Sequence, residues 1–284
     1  MIFLSSTEPD DERRPESETM FQAEMSPQFS VVIPFYNEAS FLPETLRSWL
    51  GQTRLPDEIV VVDNGSTDGS LDVCREHLDG FSGNVVYATD DRPGKVNALE
   101  TGCRRASGRY LVFADADTYY PPHYLTLAED LIRRTGDRTV AFMAQGAGNR
   151  PDRLMMRIRR AFYVSLSYIL RKQSFTGGYG QVIRSDVLTN AGGFSERQWP
   201  YVLVDHEIMQ RVLKYGDSLY HIDFWCIPSG RRKDRSKVRW TLPERLLYHI
   251  TPFRLKDRFF YDFLGPRLAA RGMTHLNLRD RSWE

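Results

Sequence analysis

The 284-residue sequence predicts an α/β domain: a mostly parallel central sheet with helices on both faces, continued by a helical C-terminal extension. Three observations point there. Short apolar runs of strand length alternate with segments of helical periodicity, the links between them are short, and polar residues collect directly after the apolar runs. A parallel sheet needs this pattern, because each crossover must bring a helix over a sheet that is buried on both faces.

Taken in order, residues 1–28 are expected to form a disordered acidic tail. Between Ser5 and Gln28 lie Glu8, Asp10, Asp11, Glu12, Glu16, Glu18 and Glu24, with few large apolar groups to offset the entropy of ordering. The main domain is expected over 29–240. FSVVIPF at 29–35 reads as its first strand, followed by LPETLRSWL, where Leu42, Leu46, Trp49 and Leu50 share a helical face and Pro43 suits a first turn. EIVVVD at 58–63 and NVVYATD at 84–90 are the next strands. GKVNALETGCRRA at 94–106 repeats the helical pattern with Val96, Leu99 and Cys103, and RYLVFADAD at 109–117 and TVAFMAQ at 139–145 are further strands. Gly192 and Gly193 read as a helix stop, with Phe194 as an anchor behind it. Residues 241–284 make up the helical extension.

Composition excludes several classes. Apolar residues at 41% and charged residues at 26% are ordinary for a soluble globular protein. A net charge of +1 excludes a globally basic nucleic-acid binder, so no nucleic-acid partner is expected. Cys74, Cys103 and Cys226 are too scattered for a disulfide framework or a zinc cluster, which fits a reducing cytoplasm. No apolar run reaches the roughly 18–20 residues of a membrane span. The expected location is therefore cytoplasmic, with peripheral contact at the inner face of a membrane left open. Two stretches raise that option: Arg153 to Lys172 and Trp240 to Gly272 both mix aromatic and basic residues. The favoured expectation is that their apolar faces cover the core or a homodimer interface, because neither shows an obvious surplus of apolar surface.

Ligands of such sheets bind just past the carboxyl ends of the strands. Pro34-Phe35-Tyr36-Asn37-Glu38 follows the first run, Asp63-Asn64-Gly65-Ser66 the second, Asp90-Asp91-Arg92 the third and Asp115-Ala116-Asp117 the fourth. One edge thus gathers Glu38, Asp63, Asp115 and Asp117. Each has a plainer reading alone: Asp63-Asn64-Gly65 is a good turn, and Glu38 is a candidate helix cap. If the fourth strand stays extended to its end, Asp115 and Asp117 project to one side. Two like charges so placed need a cation or a ring of donors between them.

The motifs VVIPFYNEASFLPETLRSWLGQ, DEIVVVDNGSTDGS, RPGKVNALETGCRRASGRYLVFADADT, TGGYGQVIRSDVLTNAGGF and VDHEIMQR occur in this order between Phe29 and about Arg239. In these motifs the chain resembles the inverting family 2 glycosyltransferases, which have the GT-A fold of nucleotide-diphospho-sugar transferases. The resemblance implies a nucleotide-diphosphate sugar donor, a glycan or glycolipid acceptor of the kind found in bacterial surface biosynthesis, and Mg²⁺ or Mn²⁺ as cofactor. It further implies that Asp63 hydrogen-bonds the nucleotide base, with Pro34, Tyr36 and Glu38 completing its pocket. Lys95 would lie near the donor, although a solvated helix end is the alternative. Asp115 would bind the ribose or metal-bound water, and Asp117 would ligate the metal, with Asp115 counted in the same metal site. Gly177 and Gly178 match the stretch beside the acceptor, and Asp205 aligns with the catalytic aspartate.

The chain also departs from that pattern. Val204 replaces the first acid of the family's Glu-Asp pair, and Ser229 stands near the place of a metal-binding histidine, leaving water or His221 to fill the position. Arg231 and Arg232, within a basic run, either clamp the donor diphosphate or form a solvated face. Glu207 and Arg211 are spaced for a helical ion pair, and His206 is expected to be exposed at the helix start. Rival readings are a retaining transferase on the same fold and an inactive nucleotide-sugar-binding module. A sugar-phosphate nucleotidyltransferase would need a glycine-rich basic loop after the first strand, and VVIPFYNEA has none.

Overall fold

The computed structural model describes residues 28–148, 151, 153–230 and 240–279, and in it the apolar runs become strands close to their expected bounds. In chain order the first half is β1 (Phe29–Phe35), α1 (Leu42–Leu50), β2 (Glu58–Asp63), α2 (Ser70–Leu78), β3 (Asn84–Thr89), α3 (Lys95–Arg105) and β4 (Tyr110–Phe113). Then come β5 (Thr118–Tyr119), α4 (Tyr124–Thr135), β6 (Thr139–Met143), β7 (Gln145–Gly146), α5 (Leu154–Ile169), β8 (Gln181–Arg184) and α6 (Ser185–Asn190). The remainder is α7 (Val204–Val212), β9 (Asp217–Leu219), β10 (Trp225–Pro228), α8 (Leu242–Ile250) and α9 (Gly265–Ala270), so the C-terminal region is helical.

Seven strands form the main sheet in the order β3-β2-β1-β4-β8-β6-β9, and β5-β10-β7 form a small second sheet. The pairs β1–β2, β2–β3, β1–β4 and β6–β9 are parallel, while β8 runs antiparallel to both β4 and β6. Every residue of β1 and β2 is buried, as a strand covered on both faces demands. Val32, Val60 and Val62 point to one core with Leu99 of α3. Val31, Ile33 and Val61 point to the other with Leu46 and Trp49 of α1. The C-terminal Phe260, Leu264 and Leu268 pack into the first of these cores, so the extension shares the sheet's own apolar cluster.

Three expectations are corrected. β4 ends at Phe113, so Asp115 and Asp117 sit in the loop leading to β5 and not on an extended strand. The loop keeps their alternation nonetheless: Ala116 turns inward, 5% exposed, and its carbonyl accepts from the Thr45 hydroxyl at 2.9 Å. His206 is not exposed; it packs on Trp240 and Tyr248 with ring centroids 5.0 and 5.4 Å away. Finally, the two basic and aromatic stretches cover the core only in part: Val164, Leu247, Tyr248 and Phe260 pack on it, but the apolar stripes of α5 and α8 do not. Arg160 and Ser167 form the buried side of α5, and Glu244 and Tyr248 that of α8, so the stripes face outward. Among the described residues no helix is long and apolar enough to cross a membrane. The acidic tail expected at 1–28 lies, except for Gln28, outside the described residues.

Candidate functional site

Parallel pairing brings the loops after β1, β2 and β3 to one edge, with Phe35 opposite Asp63 and Asp63 opposite Thr89. The first two loops are laced together. Asn37, at φ 54°, donates its backbone N–H to Ser66 Oγ at 3.0 Å and accepts from the Thr67 N–H at 2.8 Å. Glu38 donates its N–H to Ser70 Oγ at 2.8 Å, and its carbonyl accepts from the Phe41 and Leu42 N–H groups that open α1. Glu38 is thus not the cap of α1, whose N-cap is Phe41 with no side-chain cap; only its backbone carbonyl meets the helix start, and the residue is buried.

Asp63, by contrast, makes the turn foreseen for it, its Oδ1 accepting from the Ser66 N–H at 2.8 Å. Asn64 ties the second loop to the third. Its amide donates to the carbonyls of Asp90 and Arg92 at 2.9 and 2.7 Å, and its Oδ1 accepts from the Gly94 N–H at 2.7 Å. Burial works to raise the Asp90 carboxyl, but hydrogen bonds from Arg92 and Thr101 outweigh it and hold the group below the ordinary range.

A residue with no local signal completes this edge. The C-terminal turn 275–279 packs on α3, and Gly94 (φ 112°) makes room for it, since a Cβ there would stand 2.2 Å from His275 Nδ1. The turn lays the Arg279 guanidinium 3.7 Å from the centroid of the Tyr36 ring, where it also donates to Asn64 Oδ1 at 3.2 Å and to the Asn64 carbonyl at 3.1 Å.

Next to this edge lies a cavity of about 230 Å³. Pro34, Lys95, Asp115, Asp117, Gly177, Gly178 and Asp205 all line it, together with Ser229. Lys95 is not simply a solvated helix end: its ammonium is paired with the Asp115 carboxylate. Asp117 accepts a hydrogen bond from the Ser229 hydroxyl at 2.5 Å. The two carboxylates thus meet a cation and a donor, as like charges at close quarters require.

Leu203, Val204 and Asp205 also line the cavity, and the chain enters α7 through Leu203, whose φ of 64° is unusual for a side-chain-bearing residue. Its carbonyl starts the helix by accepting from the His206 and Glu207 N–H groups, both at 3.1 Å. Asp205 lies in the first turn of α7. Its seat is glycine: a Cβ on Gly178 would stand 3.0 Å from Asp205 Cβ, and one on Gly177 3.2 Å from Oδ2. Glu207, by contrast, is fully buried and gripped by Arg211 through Nε at 2.7 Å and Nη2 at 2.9 Å, with the Tyr261 hydroxyl also donating to it. Arg211 spends its remaining donors on the carbonyls of Ala191 and Gly193. This network anchors α7, as the helical spacing suggested. Burial lowers the His206 pKa, although Asp205 beside it pulls the other way.

The sequence-predicted residues are therefore divided between the cavity and its edge. Pro34, Lys95, Asp115, Asp117, Gly177, Gly178 and Asp205 meet in the cavity, while Tyr36 and Glu38 belong to the neighbouring loop after β1 and Asp63 ends β2 beside it. Arg231 and Arg232 lie outside the described residues. His221 is held in its own turn, where its Nδ1 accepts from the Asp223 N–H at 3.2 Å, and it does not line the cavity. Among the described residues no three His, Cys, Asp or Glu side chains converge on one point. Burial pushes the Cys74 and Cys103 thiols up to about 12 and raises Cys226 as well, so none of them supplies a thiolate nucleophile. Asn64, Leu203 and Arg279 were not singled out from sequence.

Comparison with known proteins gives this arrangement its class. Glycosyl transferase family 2 matches residues 30–191, and the chain belongs to that family. It is 28% identical over 174 residues to the glycosyltransferase AglE of Haloferax volcanii, covering 59% of this chain and 56% of that protein. To the glycosyltransferase GlyA of Streptococcus pneumoniae it is 32% identical over 114 residues, which is 40% of this chain and only 16% of that one. The chain thus spans a small part of one relative and about half of the other. Among solved structures, the mannosyltransferase PcManGT of Pyrobaculum calidifontis superposes with a TM-score of 0.61 at 24% identity, covering 87% of this chain and 74% of its own. TarS of S. aureus superposes at 0.57 and 18% identity, covering 85% and 72%. At such identities the likeness speaks for the fold, which is GT-A.

Proposed function

We propose that this chain is an inverting glycosyltransferase, moving a sugar from a nucleoside diphosphate donor to a hydroxyl of a glycan or glycolipid acceptor. One observation carries the reading. A single cavity is lined both by the Asp115–Asp117–Lys95 group and by Asp205, which is seated on Gly177 and Gly178. A single displacement needs a group that stabilises the leaving diphosphate and a separate proton acceptor around one reacting carbon, and this lining offers both. Solved neighbours of the fold include PcManGT with GDP-Man and Mn²⁺ and TarS with UDP-GlcNAc, which supports the donor class.

In this reading Pro34, Tyr36, Glu38 and Asp63 hold the nucleoside, with Arg279 fixing the Tyr36 ring. Lys95 sets its positive charge beside the diphosphate. The donor set suits Mg²⁺ or Mn²⁺, since two carboxylates and the Ser229 hydroxyl are hard oxygen ligands and such ions complete their shell with phosphate oxygens and water. Asp115 and Asp117 would hold the ion, which supplies charge neutralisation for the departing diphosphate. Asp205 takes the acceptor's proton as its oxygen bonds to the anomeric carbon, while the bond from that carbon to the diphosphate breaks. The catalytic unit is placed at 29–240 with 241–284 as its extension, and the free cysteines fit work in the cytoplasm.

The test is direct. With a panel of nucleotide sugars and a hydroxyl acceptor, NMR of the product should report a glycosidic bond of opposite anomeric configuration to the donor. Retention would overturn the inverting assignment, and absence of nucleotide binding in calorimetry with Mn²⁺ would overturn the donor class.

A further inference from the structure

Two helices carry their apolar side on the outside. On α5, Leu154, Met155, Ile158, Phe162 and Ile169 are between 54% and 78% exposed, at the spacing of one helical face. On α8, Leu242, Leu246 and Ile250 are 82%, 63% and 64% exposed, one turn apart. Surface helices of a globular domain bury such stripes. Here the inward sides are the partly polar ones.

The exposed charge carried by the two helices has one sign. From Arg153 to Lys172 the chain holds five arginines and one lysine and no acidic residue, although the whole protein nets only +1. Arg153, Arg157, Arg159 and Arg171 are exposed. On α8, Arg245 is exposed, and the one acid, Glu244, is buried under Arg271 at 2.8 Å. The two helices belong to one region of the molecule. Phe175 has its ring centroid 6.2 Å from that of Tyr163 on α5 and 6.0 Å from that of His249 on α8. That region adjoins Asp205 and Gly177 of the cavity lining, because Tyr248 of α8 packs on His206 and Gly177 follows Phe175 closely.

We propose that the face formed by α5 and α8 docks on an anionic lipid bilayer, the apolar stripes entering the headgroup boundary and the arginines meeting lipid phosphates. Helices with basic flanks and large apolar residues on the other side lie in the plane of such an interface. At about 1.5 Å per residue, α5 offers a contact line of roughly 24 Å. A second copy of the chain fits the face poorly, because apposed stripes would bring two sets of arginines together and neither helix carries an exposed acid to pair with them. Docking here would hold the Asp205 part of the cavity lining near the lipid surface.

The full chain should sediment with vesicles of phosphatidylcholine and phosphatidylglycerol, release from them as salt is raised, and bind vesicles of phosphatidylcholine alone at least tenfold more weakly. The double variant Ile158→Ser, Phe162→Ser should lose about tenfold or more in vesicle affinity while keeping its melting temperature and its nucleotide affinity, since both side chains are exposed. Arg153→Gln with Arg157→Gln should flatten the salt dependence. Equal binding to both vesicle types, binding unchanged in the serine variant, or no sedimentation at all would overturn the proposal. So would a dimer in light scattering that the serine variant dissolves, which would assign the face to self-association.

Discussion

Replacing Asp205 by Asn tests the chemical core of the proposed reaction with little structural disturbance. Asn keeps the shape, its Cβ still fits against Gly178, and its side-chain oxygen can still accept from the His206 N–H, now at 3.0 Å. The helix start should survive, because it rests mainly on the Leu203 carbonyl. What disappears is the ability to take a proton. General-base assistance is worth about 10²–10⁴ in rate, which is roughly 2.7–5.5 kcal/mol of barrier. Turnover should fall by that factor, while nucleoside diphosphate affinity stays within about twofold, since Asp205 is not among the residues proposed to hold the nucleotide or the metal. Steady-state kinetics with saturating donor, calorimetric titration of the nucleotide and a melting curve separate these effects. A variant that folds and keeps more than about a tenth of its turnover would refute Asp205 as the base.

Other perturbations have distinct signatures. Asp117→Asn removes one anionic oxygen ligand, so nucleotide binding measured by calorimetry should weaken and lose its response to Mn²⁺; an undiminished response would remove Asp117 from the metal site. Glu207→Gln breaks a fully buried pair with Arg211 and should lower stability by about 3–5 kcal/mol in denaturant titration, with turnover per folded molecule little changed. Arg279→Ala removes a guanidinium stacked on Tyr36 and should weaken nucleotide affinity about three- to tenfold, the range of one such contact. His249 supplies a pH test: burial, with Arg245 and Lys256 nearby, holds it down to about 4 from its ordinary 6.5. The unfolded chain then binds more protons between those values, so stability is full above pH 6.5 and falls as pH drops from 6.5 towards 4. His249→Gln should flatten that window in melting curves, and an unchanged slope would contradict the burial argument.

Sequence legibility followed the range of the forces involved. β1, β2 and α1 were readable to the residue because unbroken apolar runs and a 3.6-residue stripe are local patterns. The Asp115–Asp117 pair was readable as a site, yet not as a loop, since the end of β4 depends on Thr45 and β5 holding the following residues. His206 looked exposed because helix-start residues usually are, and Trp240 and Tyr248, which cover it, are more than 30 positions away in the chain. Glu207 and Arg211 were recognisable as a pair by spacing alone, but nothing in the spacing said that the pair would be buried.

By itself, then, the chain determined its alternation of strands and helices, the sheet edge where acids collect, and its family, because each is written in neighbouring residues. Only the tertiary structure decided which of those acids share a cavity, that Glu207 is locked away while Asp205 opens onto it, and that Arg279 reaches Tyr36 across more than 240 positions. It also decided that α5 and α8 turn their apolar sides outward. An amphipathic helix encodes two faces, but which of them finds the core is set by what the rest of the fold leaves to be covered.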